Sequence, residues 1–285
     1  MKKIGFIDHS IDNFHANKFL SLIRSGPLQA HYDVACAWEE AAAAGKRGIE
    51  QWCGEMNVEK AESIEQVVAE CDGLMVLSPD RSDRHEDLAD IPLRSGKPVC
   101  VDKTFAPSRA AAERMFAKAE QHGTPLMSSS VLRFGSAFVK AVEEKLAGKK
   151  ARFAATRGAG ASFAIYAVHQ LEMLVTILGT GASRVMQCGN DEAEVLLVDY
   201  PDGRRGVVNR MVGWHPFQIS FTYGGESMSV DTIDDHYERF VDALLGFFET
   251  GNSPVPKEET LEIMAIIATG VQALEQPGQW LAIEG

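Results

Sequence analysis

The chain has 285 residues, of which 45% are hydrophobic and 24% are charged, and its formal net charge is −12. This composition is typical of a soluble globular protein with one large or two modest domains. The negative charge argues against the wrapping of DNA or RNA, because a polyanion has to be neutralised by Lys and Arg. No apolar run reaches the roughly 18 residues of a membrane span. Neither a nucleic acid nor a membrane is therefore an expected partner.

The N-terminus and the cysteines indicate the same compartment. The N-terminal lysines are followed by Asp8, His9 and Asp12, which is not the apolar core of a signal peptide. The five cysteines are scattered, odd in number and form no CxxC pair, so the sequence predicts neither a metal site nor a disulfide framework. We expect a reducing, cytoplasmic setting.

The first 130 residues alternate short apolar runs with helical patterns. Two helix starts are marked: Ser63 has Gln66 three residues later, as in a capping box, and a helix begins near Pro107 and ends at Gly123. Strands that alternate with helices predict a parallel sheet with helices on both faces. The strand-like runs are 4–7, 32–37, 73–77, 98–101 and 125–128.

The order of predicted elements changes after residue 130, where several strands follow one another and two helices end the chain. "YPDGRRG" at 200–206 is a hairpin turn signal. Such a run of strands followed by helices predicts an α+β domain with a mainly antiparallel sheet. Overall we predict an α/β protein with a doubly wound Rossmann domain over 1–128 and an α+β domain over 129–285, with a soft boundary near 125–135. The predicted helices are 136–147, 164–178, 236–250 and 258–274, and the predicted strands are 151–156, 184–188, 193–200, 206–212, 217–223 and 227–230.

Residues 95–134, "SGKPVCVDKTFAPSRAAAERMFAKAEQHGTPLMSSSVLRF", resemble the Gfo/Idh/MocA family of nicotinamide-dependent oxidoreductases. That family carries "GKHVxCEKPxA", then a helix, a strand and "N-x-R-F". Asp102-Lys103-Thr104 stands at its E-K-P position, and Arg133 and Phe134 match the last element. "VLSPDRSDRHEDLA", "YAVHQLEMLVTILG" and the C-terminal helix pair also resemble family segments, so the resemblance spans nearly the whole chain.

The resemblance implies a nicotinamide cofactor, NAD or NADP, in the first domain, but the opening turn departs from the family. The family's G-x-G-x-x-G is replaced by a turn without glycine. Asn, Asp and His tolerate positive φ better than other residues, so the turn can still form. The Cβ atoms and the charges of Asp8 and Asp12 oppose a pyrophosphate, whereas the helix N-terminus attracts it. Weakened binding and ordinary binding both remain open, as does a plain helix-capping role for Asp12 or Asn13.

Other candidate residues stand at the ends of predicted strands, where ligands bind in such sheets. Trp38 and Glu39 end the second strand, and an acidic residue there can bind the adenosine ribose; a solvated loop glutamate is the alternative. Ser78 and Pro79 match a loop beside the nicotinamide in the family. Lys103 follows an apolar strand and can orient a hydroxyl or donate a proton.

His169 lies on an apolar helix, in register with the family's histidine, which implies acid–base work on a substrate hydroxyl. The alternative is a satisfied core histidine. The family's aspartate falls on Ile165, and the neighbouring Tyr166 is a candidate to replace its polar function. Met211, Trp214, Phe217 and Met228 are expected in the sheet core and a sheet-mediated interface.

The leading hypothesis is an NAD(P)-dependent oxidoreductase that acts on a sugar, a polyol or a related hydroxy compound. A non-catalytic binding or regulatory protein on the same scaffold is the alternative, and cofactor-assisted cleavage of a glycoside is a weaker third reading. A homodimer or homotetramer is expected, since antiparallel sheets often leave a face to cover. The predicted catalytic residues are Lys103, His169 and Tyr166; the predicted cofactor-binding residues are Asp8, His9, Ser10, Asp12, Asn13, Trp38, Glu39, Ser78, Pro79, Asp102, Lys103 and Arg133.

Overall fold

A computed structural model describes residues 1–283 and divides them into two compact units. The first unit holds residues 1–128 and 240–255, and the second holds residues 129–239 together with those from 256 on. Residues 240–255, part of the predicted C-terminal domain, thus pack with the first unit. Amphipathic periodicity shows that a helix buries one face but does not say against which partner. The predicted division into 1–128 and 129–285 stays a prediction.

The first unit is built on a six-stranded parallel sheet in the order β3-β2-β1-β4-β5-β6, which is the strand order of the Rossmann fold. The predicted fold class is therefore confirmed for this unit. Its strands are β1 (Lys2–Asp8), β2 (Tyr32–Glu39), β3 (Glu59–Lys60), β4 (Gly73–Val76), β5 (Val99–Val101) and β6 (Leu126–Met127). Its helices are α1 (Phe14–Ser25), α2 (Ile49–Met56), α3 (Ile64–Glu70), α4 (Ser82–Leu88) and α5 (Arg109–Gln121), with a 3-10 turn at Pro92–Arg94.

Side-chain caps mark the starts of α3 and α5. The Ser63 hydroxyl accepts a hydrogen bond from Gln66 N at 3.3 Å at the start of α3, and Ser108 caps α5 by accepting from Ala111 N. The side chain of Gln66 accepts from Glu62 N, one residue before the donor of a standard capping box. Each cap satisfies an amide that the helix itself leaves unpaired.

The second unit holds a seven-stranded sheet in the order β12-β11-β7-β10-β9-β8-β13, antiparallel except for the β7–β10 pair. This agrees with the mainly antiparallel sheet that was predicted, and the "YPDGRRG" turn connects β9 to β10 in antiparallel register. Its strands are β7 (Ala151–Ala159), β8 (Arg184–Gln187), β9 (Ala193–Asp199), β10 (Arg205–Met211), β11 (Gln218–Tyr223), β12 (Glu226–Val230) and β13 (Leu281–Ala282).

Helices cover one face of this second sheet. The helices in this part of the chain are α6 (Ser136–Lys140), α7 (Phe163–Leu178), α8 (His236–Thr250) and α9 (Lys257–Leu274), with a 3-10 turn at Val131–Phe134. Helix α6 continues as a π-helix over Ala141–Leu146. Most of α8 belongs to the first unit. Burial alternates along β10 and over residues 195–198 of β9, as expected for strands with one face on helices. Leu196, Val198 and Val208 are buried, whereas Val195, Leu197 and Val207 are half-buried on the other face. No helix within residues 1–283 is both long enough and apolar enough to cross a membrane.

Candidate functional site

The turn between β1 and α1 is organised by the carboxylate of Asp8 instead of by glycine. Asp8 is buried at the end of β1 and accepts hydrogen bonds from Ser10 N (3.1 Å), Asn13 Nδ2 (2.7 Å) and Ser78 Oγ (3.0 Å). Burial raises its pKa to about 6, even though these donors favour the charged form. Asn13 in turn caps α1, because its side chain accepts from Ala16 N at 3.1 Å. Of the two residues proposed as the cap, Asn13 holds that position.

The backbone amides of this turn are paired with the chain's own oxygens. His9 N donates to Ser78 Oγ at 2.8 Å, and Ile11 N donates to Glu39 Oε2 at 3.0 Å. The other carboxylate oxygen of Glu39 accepts from Ile49 N at 2.6 Å. Glu39, at the end of β2, therefore binds two amides instead of standing in solvent as a loop residue. In a glycine-rich loop, amides in this region face a pyrophosphate.

The remaining polar side chains of the turn contact the segment that follows β2. Asp12 Oδ1 lies 2.6 Å from Arg47 Nη2, whose hydrogen bond holds the pKa of Asp12 well below its usual range. Arg47 offsets the charge of Asp12, so Asp8 is the carboxylate that opposes an anion here. Ser10 Oγ accepts from Ala43 N at 3.0 Å, and His9 Nδ1 lies 2.7 Å from Glu40 Oε2.

Lys103 lies just beyond β5, close to the loop that follows β4. Its side chain is buried, and Nζ donates to the carbonyl oxygen of Pro79 at 2.9 Å and lies 4.0 Å from Asp80 Oδ1. Ser78 adopts the left-handed region at φ 69° and is itself buried. A non-glycine residue in this region is held there by its surroundings, here by the bonds of Ser78 Oγ to Asp8 and His9. The structure thus brings Asp8, Ser78, Pro79 and Lys103 together.

Asp102 pairs with a histidine that the sequence analysis did not identify. Asp102 Oδ2 lies 2.5 Å from His15 Nδ1, and Asp102 Oδ1 accepts from Lys103 N at 2.8 Å. Burial alone would raise the pKa of Asp102, but His15 and Lys103 more than offset this and hold it below its usual value. His15 is 87 residues away in sequence, and a pairing over such a distance cannot be deduced from a single sequence. Trp38, half-buried on β2, pairs in register with Ile7.

His169 lies on α7 in the second unit and is held by Ser130. Its Nδ1 is 2.7 Å from Ser130 Oγ, which also accepts from Leu132 N at 3.3 Å. The rings of Tyr166 and Phe217 flank the imidazole, with centroids 5.8 and 5.4 Å away. Although His169 is buried, it has a polar partner on one nitrogen and aromatic rings beside it. Ser130 was missed because a serine in "SSS" carries no distinguishing sequence signal.

Arg133 lies in a buried cluster of charges in the second unit. Its Nε is 2.6 Å from Glu172 Oε2, and its Nη1 is 2.6 Å from Glu259 Oε2. Burial raises the pKa of Glu172, and the charge of Arg133 offsets part of that rise. Glu172 also accepts from Ser130 N and Ser129 Oγ, both at 3.2 Å. These contacts give Arg133 a structural role, and its assignment to the cofactor stays a prediction.

The candidate residues therefore form two groups, one in each unit. The first surrounds Asp8 and Lys103, and the second surrounds His169; the predicted convergence of Lys103 and His169 stays a prediction. No cluster of His, Cys, Asp and Glu side chains in the described residues is arranged to hold a metal ion.

Comparison with known proteins gives a family match over part of the chain and a fold over all of it. Residues 13–130 match the Gfo/Idh/MocA model, described as an oxidoreductase family with an NAD-binding Rossmann fold. Among curated proteins, none matches the chain significantly in sequence.

Solved structures match over the whole length. One is scyllo-inositol dehydrogenase from Lactobacillus casei with bound NAD(H) and scyllo-inositol, with 13% identity, 99% coverage of each chain and a TM-score of 0.83. Another is myo-inositol 2-dehydrogenase from Lactobacillus plantarum, with 11% identity, 99% coverage of each chain and a TM-score of 0.80. At these identities the likeness establishes the fold alone.

Proposed function

We propose that this chain, whose residues 13–130 match the Gfo/Idh/MocA model, is a member of that family and an NAD(P)-dependent oxidoreductase acting on a sugar, a polyol or a related hydroxy compound. The observation that carries the proposal is the position of Lys103. Its buried ammonium group lies just after a strand of a parallel sheet and donates to the carbonyl oxygen of Pro79, in the loop after β4. Ligands of such sheets bind at the carboxyl ends of the strands. The dehydrogenases that share the fold, crystallised with NAD(H) and an inositol in one case, support a carbohydrate-like substrate.

The residues of the first unit fit a nicotinamide dinucleotide, although the amides of the turn are less accessible to a phosphate than those of a glycine-rich loop. Glu39 ends β2, one residue beyond the family's acidic position at Trp38, and an acidic residue in this region can bind the adenosine ribose. Its two bonds to amides leave acceptor capacity, since a carboxylate offers about four lone-pair sites. The first turn of α1 supplies helix N-terminal amides. Asp8 is the unfavourable element, because it already binds the Ser10 amide and carries charge at neutral pH. Weakened binding of NAD or NADP follows from this arrangement.

Each candidate residue has a distinct task in this proposal. The bound nicotinamide supplies the two-electron chemistry. Lys103 donates a hydrogen bond to the reacting oxygen of the substrate, and His169 takes up or returns the proton of that hydroxyl at Nε2. The Ser130 hydroxyl both donates and accepts, so it stays paired with His169 Nδ1 in either tautomer. Ser130 is a positioning residue. Tyr166, beside His169, is a further candidate to contact the substrate.

The alternative is a non-catalytic binding protein on the same scaffold. One observation favours it: the amides of His9, Ser10 and Ile11 are all satisfied by the chain's own oxygens. An anion would have to displace Ser78 Oγ, Asp8 or Glu39 to reach them, so the closed turn is stable without a cofactor.

Titration of the purified protein with NADH, followed by cofactor fluorescence and calorimetry, separates the two functions. We expect binding that tightens in Asp8→Gly, because the competing carboxylate and its Cβ are removed. Asp12→Asn is the matched control, since Arg47 already offsets that charge, and it should leave the affinity nearly unchanged. Absence of binding at millimolar NADH in all three proteins would favour the non-catalytic function.

A homodimer or homotetramer in the cytoplasm is part of the proposal. Val195, Leu197 and Val207 lie half-buried on the face of the second sheet that the helices do not cover, and Phe153 is 37% exposed. An apolar sheet face of this kind favours association with a second copy. Light scattering at micromolar concentration tests it, and a monomer would contradict it.

A further inference from the structure

A basic pocket lies in the second unit, between the start of β7, the end of α7 and the turn that connects β9 to β10. Its volume is about 360 Å³, within the range of about 300–1,000 Å³ typical of small-molecule sites. Four of its ten lining residues are cationic, Lys149, Lys150, Arg152 and Arg204, and one, Asp202, is anionic. The net charge of the whole chain is −12, so this pocket concentrates positive charge against the overall balance.

A β-bulge sets the direction of Arg152. Two successive residues of the partner strand β11 pair with Phe153 and with Ala151, so Arg152 is the extra residue of β7. A bulge turns the side chain of the extra residue away from the normal alternation of the strand. The Arg152 guanidinium lies against the turn after β9, since a Cβ added at Gly203 would be 3.1 Å from Arg152 Nη2. The backbone thus directs this cation into the pocket.

The two arginines of the pocket differ in what they bind. Arg204 Nε donates to Asp202 Oδ2 at 2.9 Å, and Arg204 Nη2 donates to the carbonyl oxygen of Thr180 at 3.1 Å. The charge of Arg204 is therefore offset by Asp202, and this arginine helps to build the wall of the pocket. Lys150 and Arg152, by contrast, form neither a hydrogen bond nor an ion pair with any residue between 1 and 283.

Unpaired arginines are unexpected in a chain with 40 acidic and 28 basic side chains. Arg84, Arg114 and Arg205 each lie 2.6–2.7 Å from a carboxylate oxygen. Lys149, the remaining cation of the pocket, is 3.7 Å from the exposed Glu226, and an exposed pair of this kind contributes little. The pocket therefore presents three cations whose charge the chain itself hardly offsets.

We propose that this pocket binds a small anion with two or more negative charges, a phosphate ester or a polycarboxylate. Arg152 holds it through two parallel N–H donors, and Lys149 and Lys150 hold it as point charges. The net negative charge of the chain repels such an anion from the rest of the surface, so binding is confined to this local excess of cations. The inference is independent of the proposed function, since the pocket contains none of the candidate residues around Asp8, Lys103 or His169 except their shared scaffold.

Isothermal titration calorimetry on the whole protein tests the pocket, with pyrophosphate and citrate as the two probes. We expect binding that weakens as NaCl is raised from about 20 to about 200 mM, because partly exposed charges are screened. Arg152→Gln should weaken binding about five- to tenfold, the range between an exposed ion pair and a charge-assisted hydrogen bond. Lys150→Gln should weaken it by up to about fivefold. Both side chains are exposed, so these variants keep the fold.

Arg94→Gln is the matched control, because Arg94 is an exposed arginine of the first unit that does not line the pocket. It changes the net charge by the same amount and should leave both affinities unchanged. Weaker binding in Arg152→Gln but not in Arg94→Gln supports the pocket, and the tighter probe then identifies phosphate or carboxylate as the ligand chemistry. No binding of either probe, or an equal loss in the two variants, would overturn the proposal. Unchanged affinity in Arg152→Gln with tighter binding in Asp8→Gly would assign the anion to the turn after β1 and overturn it as well.

Discussion

Replacing Asp8 by asparagine removes a buried carboxylate from the turn after β1. The pKa of Asp8 rises from an ordinary value of 3.8 to about 6 in the folded protein. One pKa unit corresponds to about 1.4 kcal/mol, so ionised Asp8 costs the fold about 3 kcal/mol. Because the folded pKa is the higher one, the folded state binds more protons between these values. The contribution of Asp8 to stability is therefore fully present below about pH 4 and is lost as the pH rises through about 6.

Urea unfolding of wild type and Asp8→Asn, followed by circular dichroism, measures the contribution of Asp8 to the free energy of unfolding. The introduced amide does not titrate, so we expect the stability of the variant relative to wild type to increase by about 3 kcal/mol between about pH 4 and about pH 7. A constant offset is also expected, because the new side-chain NH2 group would face the Asn13 amide donor where the carboxylate accepts. Asp12→Asn is the control: the lowered pKa of Asp12 keeps it ionised across this range, so the difference from wild type should stay flat. A flat difference for Asp8→Asn would refute the burial argument.

Further perturbations address the candidate chemistry and the buried charges. His169→Ala should lower kcat by about 10²–10⁴-fold while NADH affinity, measured by fluorescence, hardly changes. Lys103→Ala should reduce both kcat and NADH affinity in the same assays. Ser130→Ala should lower kcat without raising KM for the cofactor, and Ser130→Thr should restore it, which a purely structural role would not produce. Arg133→Met should lower the free energy of unfolding by about 3–5 kcal/mol, because it leaves buried Glu172 without its cation; an unchanged urea midpoint would contradict this.

Much of the fold follows from local sequence patterns. The parallel sheet was predicted from apolar runs that alternate with capped helices, and the strand ends agree with the structure within about two residues, as local patterns allow. Asn13 and Ser63 stand at helix starts because their short side chains satisfy free amides, a local effect. The hairpin at 200–206 follows from a Pro-Asp-Gly turn in the same way.

The site was predicted less completely, since its contacts join residues distant in the chain. Asp8 was identified as an obstacle to a phosphate, but its bond to Ser78 could not be derived because 70 residues separate the two. The pairing of His15 with Asp102 is of the same kind. Trp214 was expected in the sheet core and a sheet-mediated interface on its apolar character. It is not in the core, since it is 81% exposed in the loop between β10 and β11, and hydrophobicity gives no information on which apolar residues a protein leaves exposed.

The return of residues 240–255 to the first unit has a consequence for synthesis of the chain. Phe240 packs on Phe19 at 5.4 Å between ring centroids, and the Tyr32 hydroxyl donates to the Leu245 carbonyl, 213 residues away. The first unit therefore cannot complete its core when its own sheet has emerged from the ribosome. Translation of residues 129–239 takes on the order of ten seconds at about 5–20 residues per second. During that interval the apolar surface around Phe19 and Tyr32 is without its helix, and it is there that a nascent chain would engage a chaperone or aggregate.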